Sequence, residues 1–557
     1  MYNIIKILLL FLIAPIVIII DVIIMIVAVI DALASVEGRR RVTVDVIGAG
    51  PRAVCGVLEK WGIASRILPI ENVLKKPRIL RKFDILMASG MSVDLPALRK
   101  ISKIWKNING KRPTVIGGPI TSNPIDAIER AGFDIAVIGE GEETIEELLK
   151  LGLKDGEKPE VEDLINVKGI AYKDPKTGKV FQNPLRPIMP REKYDSYIPS
   201  TKRIIDYSLF FAARVYVEIL RGCSNYMRTT IKLPDGKQCD FCNVCREGPL
   251  TSRYYCHIGI PPGCGYCSVP SLYGPPRSRS IPKIVSEIKA LLKQGVRRIV
   301  LSAPDFLDYG RDLLVGDEPL TDPRNPKPNY RLIEKLLKEV TSLSEVINGE
   351  AVILLENMKP NLVDETAAEL IAKYLPGITV HIGCETGSEE HAYSLGRPST
   401  PKETYNAIKI LKEHNLNCAV YFIYGLPGQN MKVAKETANF MWQLYALGIS
   451  KITVYRFQPL PMSAFSSFPK GPPSHLDPAS KLIADTAEEI NRKIKEQYLG
   501  KRLRVIVAAR YNKMYNVAYP MDYGPVVLVP RDKTKINTVI NITVKKVISD
   551  KMVYGSP

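Results

Sequence analysis

Seven of the ten cysteines in this 557-residue chain fall in one short stretch: Cys223, Cys239, Cys242, Cys245, Cys256, Cys264 and Cys267. An odd count leaves one thiol over in any disulfide framework. The natural division is three plus four. Four thiolates close a metal site, whereas three leave one metal position open for chemistry. The plainest alternative is a zinc-stapled insert with no catalysis.

The elements around the cysteines must place them. The apolar stretch VYVEIL reads as a strand that ends at Arg221-Gly222-Cys223. The amphipathic segment IPKIVSEIKALLKQG and the strand VRRIVLSA follow the last cysteine. EAVILLE, ITVHIG, CAVYFIYG and ITVYRF continue as strands with helices between them. Residues 213–490 therefore read as a β/α barrel, full or partial, with a Cys-rich insert at 224–263. Active groups of such a barrel sit at the strand C-terminal ends.

Ahead of it, residues 25–160 alternate short apolar strands with amphipathic helices, the rhythm of an α/β, doubly wound, Rossmann-like sheet. RRVTVDVIGAG, FDILMASG, PTVIGGP and DIAVIGEGEET each read as a strand entering a Gly-containing turn. Gly48, Gly50, Ser89, Gly117, Gly118, Gly139 and Gly141 then lie at the strand C-termini, where backbone approaches a nucleotide-like ligand closely. Residues 161–212 read as a linker, with a hairpin turn in KDPKTGKV and a Pro-rich RPIMPR. Residues 498–557 are β-rich, carry 11 Lys and Arg against three Asp after residue 500, and read as a small β-barrel of OB-like size.

The formal charge of +19 favours an anionic partner, whether nucleic acid, membrane surface or charged cofactor. A composition of 46% hydrophobic and 24% charged residues excludes a largely disordered chain. Metal-spaced cysteines without a secretory cleavage pattern suggest a reducing, cytoplasmic compartment. At residues 7–20 the run ILLLFLIAPIVIII admits two readings. It is a membrane anchor, interrupted by Pro15, that associates the protein with a membrane. Otherwise residues 1–24 are an extension, translation begins at Met25, and MIVAVIDALA is the first buried strand.

Cys264-Gly265-Tyr266-Cys267, after Arg221-Gly222-Cys223 and before a helix and strand, resembles the cluster loop of radical S-adenosylmethionine (SAM) enzymes. That resemblance implies a [4Fe-4S] cluster on three thiolates, with SAM on the fourth iron. The usual C-x3-C-x2-C spacing is not kept. Two partitions follow. Cys223, Cys264 and Cys267 bind the catalytic cluster and Cys239, Cys242, Cys245 and Cys256 a second site, or Cys256 replaces Cys223. The run Cys239-x2-Cys242-x2-Cys245 resembles a ferredoxin-type ligand run, and either a second iron–sulfur cluster or zinc suits it.

HIGCETGSEE, LGRPST and YFIYGLPGQ match the order in radical SAM proteins with an N-terminal cobalamin-binding domain. Carried over, Tyr266, Glu385, Gly387, Gly425 and Gly428 line the SAM site. The N-terminal sheet resembles the cobalamin domain, although none of the five histidines lies in its first 200 residues to ligate cobalt from below. The last module resembles the TRAM domain of tRNA-modifying methylthiotransferases, with Tyr511, Tyr515, Tyr519 and Tyr523 close in sequence.

IDALAS, DVIGAGPR and SVPSLYGPPRSR are similar to archaeal ring synthases for tetraether membrane lipids. This implies hydrogen abstraction from a saturated isoprenoid chain and cyclopentane formation, with electrons from ferredoxin or flavodoxin. RNA methylthiotransfer is a second reading, weakened because Cys55 alone represents cysteine in the N-terminal domain. A cobalamin-dependent methyltransferase and a non-enzymatic, metal-stapled nucleic-acid binder complete the alternatives.

Overall fold

The computed structural model describes residues 25–40 and 43–557. Strand β1 (Ile26–Asp31) opens the chain, and β2 (Val46–Ile47) follows. Then come β3 (Ala64–Pro69), β4 (Ile85–Ser89), β5 (Thr114–Gly117), β6 (Ile135–Val137), β7 (Ile170–Lys173) and β8 (Val180–Gln182). The first sheet runs β3-β1-β4-β5-β6-β7-β8. Its first five strands are parallel, in a doubly wound order whose direction of winding switches between β1 and β4. Period-two alternation explains the two covered faces. Val27 and Val29 join the large core shared with the barrel, while Ala28 and Ile30 pack with Leu98, Ile101 and Trp105 of helix Leu95–Asn109.

Two expectations are corrected here. RRVTVDVIGAG supplies no strand to this sheet: its two-residue β2 pairs with the barrel strand at Arg214–Val215. The apolar run at Met25 takes the place of first strand, because Val27, Ala28 and Ile30 are fully buried. The expected linker also contributes, since β7 and β8 extend the sheet as an antiparallel hairpin. Among the described residues, no helix is long and apolar enough to cross a membrane. The proposed anchor at residues 1–24 lies outside the described residues.

The second unit contains β9 (Arg214–Glu218), β10 (Leu220–Arg221), β11 (Arg277–Ser278), β12 (Arg298–Ser302), β13 (Val352–Glu356), β14 (Thr379–Glu385), β15 (Asn417–Tyr424) and β16 (Lys451–Arg456). All six strands expected for the barrel are present. They form two parallel sheets, β13-β12-β9-β2 and β14-β15-β16, joined by a bridge between Met358 and Ile382. The outer strands β2 and β16 do not pair, so the barrel is partial. Helix Pro401–Glu413 begins with a reciprocal cap: Thr400 Oγ1 accepts from Glu403 N–H at 3.2 Å, and Glu403 accepts from Thr400 N–H at 2.9 Å.

The chain ends in β17 (Arg502–Arg510), β18 (Tyr515–Pro520), β19 (Val526–Pro530), β20 (Val539–Val547) and β21 (Met552–Ser556), a closed five-stranded barrel. It docks on the strand N-terminal side of the larger barrel. There Arg298 donates to Met521 O at 3.2 Å, and Ile506, Ala508, Tyr519 and Met521 pack on Ala212.

Candidate functional site

Cys223 follows β10 through Gly222, whose φ of +92° suits glycine. A Cβ at Gly222 would stand 2.1 Å from Pro275 O, so only glycine lets this strand lie against the segment after the last cysteine. Cys223 N–H donates to Gly274 O at 3.0 Å and closes that contact. Cys264 and Cys267 share a tight turn, with Cys267 N–H donating to Cys264 O at 2.8 Å. Gly265 between them is also required, since its Cβ would meet the Phe465 ring at 2.3 Å.

Asn225 gathers the sulfurs. Its backbone N–H donates to Cys223 Sγ at 3.4 Å and its Nδ2 to Cys264 Sγ at 3.3 Å. Burial, then the neighbouring Cys264 and Cys223 thiols, pushes the Cys267 thiol up to about 12. Burial raises the Cys223 and Cys267 thiols, which resist ionisation until a cation takes their charge, and a metal-bound thiol is deprotonated outright. The donor set thus fits an iron–sulfur cluster. The structure does not bring Cys256 to this group. It lines a cavity of about 430 Å³ with Cys239, Cys242 and Cys245.

A buried charge cluster adjoins Cys223, and sequence reading missed it. Lys359 Nζ donates at 2.7 Å to both Ser224 Oγ and Asp308 Oδ2, and Arg311 also binds Asp308. Burial alone raises the Asp308 carboxyl, but Lys359 and Arg311 outweigh it and hold the group below its ordinary range. Burial and the Asp308 charge push Asp305 up to about 6. Asp305 Oδ2 has no hydrogen-bond partner but stands 3.5 Å from Lys359 Nζ, which supplies its countercharge. The acid pair three residues apart after strand IVLS was the available signal.

The resemblance-derived SAM residues divide in two. Glu385 ends β14 with φ of +68°, and burial raises its carboxyl. Arg397 Nη1 lies 3.4 Å from Glu385 Oε1 and also donates to Tyr266 OH, so Tyr266 and Glu385 share one guanidinium above the cluster loop. Gly387, Gly425 and Gly428 have packing reasons. A Cβ at Gly387 would meet Phe440 Cβ at 2.7 Å, and one at Gly425 would meet Gly471 Cα at 2.9 Å. Gly428 turns with φ of +80° beside Ile231 and His391.

In the N-terminal sheet, Ser89 and Gly117 end β4 and β5, and Gly118, Gly139 and Gly141 follow at the same edge. Gly50 starts helix Gly50–Lys60 with its Cβ position 3.4 Å from Ser89 Oγ, so it reaches this edge although β2 belongs elsewhere. Nothing lies within 4 Å of a Cβ at Gly48 or Gly117. Ser92 Oγ is buried and unpartnered past β4. Open backbone and a free hydroxyl at the switch point fit a large planar cofactor. Opposite stands the cluster loop: a Cβ at Gly139 would lie 3.5 Å from Leu272 O.

Inside the partial barrel, Glu356 accepts from Tyr216 OH, and from Tyr523 OH at 3.0 Å. His381 pairs through Nδ1 with Tyr421 OH, and its Nε2 is buried without a partner. Tyr455 stacks on Tyr421 at 5.9 Å. Tyr523 comes from the C-terminal barrel. Of the four tyrosines close in sequence in this module, Tyr519 and Tyr523 thus face protein, while Tyr511 is exposed.

Residues 255–441 match the radical SAM superfamily model, and residues 39–149 match the B12-binding domain. An uncharacterised protein of Methanocaldococcus jannaschii is 44% identical over 90% of this chain and 92% of its own length. A probable threonylcarbamoyladenosine tRNA methylthiotransferase of Pyrococcus horikoshii is 25% identical over 67% of this chain and 86% of its own. The fold is similar to the radical SAM methyltransferase TsrM of Kitasatospora setae, solved with cobalamin and a [4Fe-4S] cluster. The TM-score is 0.55 at 14% identity, covering 79% of this chain and 77% of that one.

Proposed function

We propose, from the premise that this chain belongs to the radical SAM superfamily and carries a B12-binding domain, that it functionalises an unactivated carbon of a substrate held inside the partial barrel. The observation that carries this reading is the approach of two cofactor edges. The turn after β6 meets the cluster loop at Gly139 and Leu272, and Arg221 ties Glu140 and Glu142 to the strand before Cys223.

In this reading Cys223, Cys264 and Cys267 hold the [4Fe-4S] cluster. Tyr266, Glu385, Gly387, Gly425 and Gly428 line the SAM site. Gly48, Gly50, Ser89, Gly117, Gly118, Gly139 and Gly141 cradle cobalamin. When bound, the cluster supplies the electron that splits SAM into methionine and a 5′-deoxyadenosyl radical, and cobalamin supplies an alkyl carrier. The chain does the rest. Asn225 directs N–H groups at two sulfurs, which favours thiolate. Lys359 and Arg311 offset the negative charge beside Cys223. The small barrel packs on the strand N-terminal side, and its Tyr523 reaches inward to Glu356 and His381.

The interior lining supports one substrate class over another. Tyr216, Tyr421, Tyr455, His381 and Glu356 present aromatic faces and polar atoms, which suit an acceptor with a ring or heteroatom. This favours cobalamin-dependent alkyl transfer to such a carbon. The saturated isoprenoid chain of tetraether lipids, implied by the ring-synthase resemblance, finds a less apolar lining than it needs. The relative with a methylthiotransferase name and the basic C-terminal barrel make tRNA the second acceptor to test.

Anaerobically reconstituted protein, a flavodoxin or ferredoxin reductant and SAM are incubated with tetraether lipid extract, bulk tRNA or a small aromatic-metabolite pool. The expected result is 5′-deoxyadenosine release raised by the last. Stimulation by lipid alone overturns the substrate class. No release in any arm from iron-loaded protein overturns the radical reading.

A further inference from the structure

Away from the cluster loop, the cavity of about 430 Å³ is lined by Cys239, Cys242, Cys245 and Cys256, with Asp240, Arg228, Tyr255 and His257. Around one zinc ion, four thiolates at 2.3 Å would stand about 3.8 Å from one another. No three of these sulfurs come mutually within 4.8 Å. The one group of metal-capable atoms that close among the described residues is Asp240, Cys242 and His257. Cys223, Cys264 and Cys267 likewise form no group that close. A cluster does not need such closeness, since each thiolate binds a different iron.

A row of three tyrosines joins this cavity to the cluster loop. Tyr226, three residues after Cys223, is 1% exposed. Its ring centroid lies 5.0 Å from that of Tyr254, and Tyr254 lies 6.3 Å from Tyr255. Tyr255 lines the cavity and precedes Cys256. Both separations are those of rings in contact. The row is held rigidly, because the buried Arg228 guanidinium donates to the carbonyl oxygens of Tyr226 at 3.0 Å and Tyr254 at 2.9 Å. Cys242 and Tyr255 are exposed at its outer end.

We propose that Cys239, Cys242, Cys245 and Cys256 bind a second [4Fe-4S] cluster, and that Tyr226, Tyr254 and Tyr255 form the packed path by which it delivers electrons to the catalytic cluster. A low-potential, one-electron protein reductant of the ferredoxin or flavodoxin class docks at the exposed cavity. One electron leaves that reductant and reduces the second cluster by one. The same electron then passes inward, reducing the catalytic cluster by one and returning the second cluster to its oxidised state. The tyrosines supply contact and undergo no net change. The inference rests on Cys223, Cys264 and Cys267 holding the catalytic cluster.

The test uses the full chain, reconstituted anaerobically with iron and sulfide. Wild-type protein is expected to hold about eight irons and no zinc, at four irons per cluster. The double variant C242S/C245S is expected to hold about four irons and to keep the catalytic-cluster signal in electron paramagnetic resonance after dithionite reduction. With flavodoxin as reductant, stopped-flow reduction of the catalytic cluster should slow at least tenfold in that variant. It should also slow in Tyr254→Leu, which keeps all its irons. Zinc in place of the second four irons, or an unchanged reduction rate in both variants, overturns the proposal. Loss of the dithionite-reduced signal from wild-type protein would instead overturn the catalytic assignment on which it rests.

Discussion

Arg221 Nη2 donates to Glu142 Oε1 at 2.8 Å, and this contact crosses from the barrel to the N-terminal sheet two residues before Cys223. The same guanidinium reaches Glu140 at 3.1 Å and Glu218 at 2.8 Å, while Arg277 holds Glu140 from the other side at 2.9 Å. Both partners of the first pair are largely buried, with side chains 12% and 7% exposed. Removing one member of such a pair leaves the other charged and unpaired, at a cost of roughly 3–5 kcal/mol. Arg221→Met is therefore expected to lower the unfolding midpoint sharply. Glu142→Gln, which keeps a hydrogen-bond acceptor and leaves Arg221 two carboxylates, should cost less. Thermal unfolding of both cofactor-loaded variants checks the order.

The two cysteine partitions make opposite predictions. Cys223→Ala should reduce 5′-deoxyadenosine formation at least a hundredfold, whereas Cys256→Ala should retain it when dithionite supplies the electrons. The contrast follows from placement: Asn225 touches the sulfurs of Cys223 and Cys264, and Cys256 lines a separate cavity. Product formation by chromatography, together with iron content, decides the point.

Gly117 and Gly118 separate ligand space from packing. A side chain at Gly117 meets nothing within 4 Å, so Gly117→Val should fold with a stability change within about 0.5 kcal/mol. It would fill the open edge of β5 and weaken cobalamin retention at least tenfold, read from the absorption spectrum after gel filtration. Gly118 has φ of +86°, and its Cβ would stand 2.8 Å from Gly90 O, so Gly118→Ala should damage the fold itself.

Burial, then Arg214, lowers His381 to about 3, from an ordinary 6.5. The folded protein keeps this imidazole neutral where the unfolded chain protonates it. Its contribution to stability is complete above pH 6.5 and is lost as pH falls toward 3, at up to about 1.4 kcal/mol per pH unit. His381→Gln removes this term. Between pH 6.5 and 4.5 the variant should show a flatter stability profile than wild type by denaturant titration.

Much of this protein was legible locally. The six barrel strands carry apolar runs because each sends side chains into the core, and that pattern survives without any neighbour in view. Cys264-Gly265-Tyr266-Cys267 is read as a ligand loop because two ligands sit in one turn. The glycines at the N-terminal sheet edge announce close backbone approach in the same way. Three things were decided only by the tertiary structure, each because it joins residues distant in sequence. Val46–Ile47 pairs with the barrel, although its alternation suits either sheet. Cys223 joins Cys264 across 41 positions through Asn225, while Cys256, closer in sequence, turns to another cavity. The buried set of Asp305, Asp308, Lys359, Arg311 and Ser224 forms because charges taken from water must find partners, and those partners come from different strand ends. Spacing fixes what one turn or one strand can do. Which turns face each other depends on the strand order and on the burial that drives it.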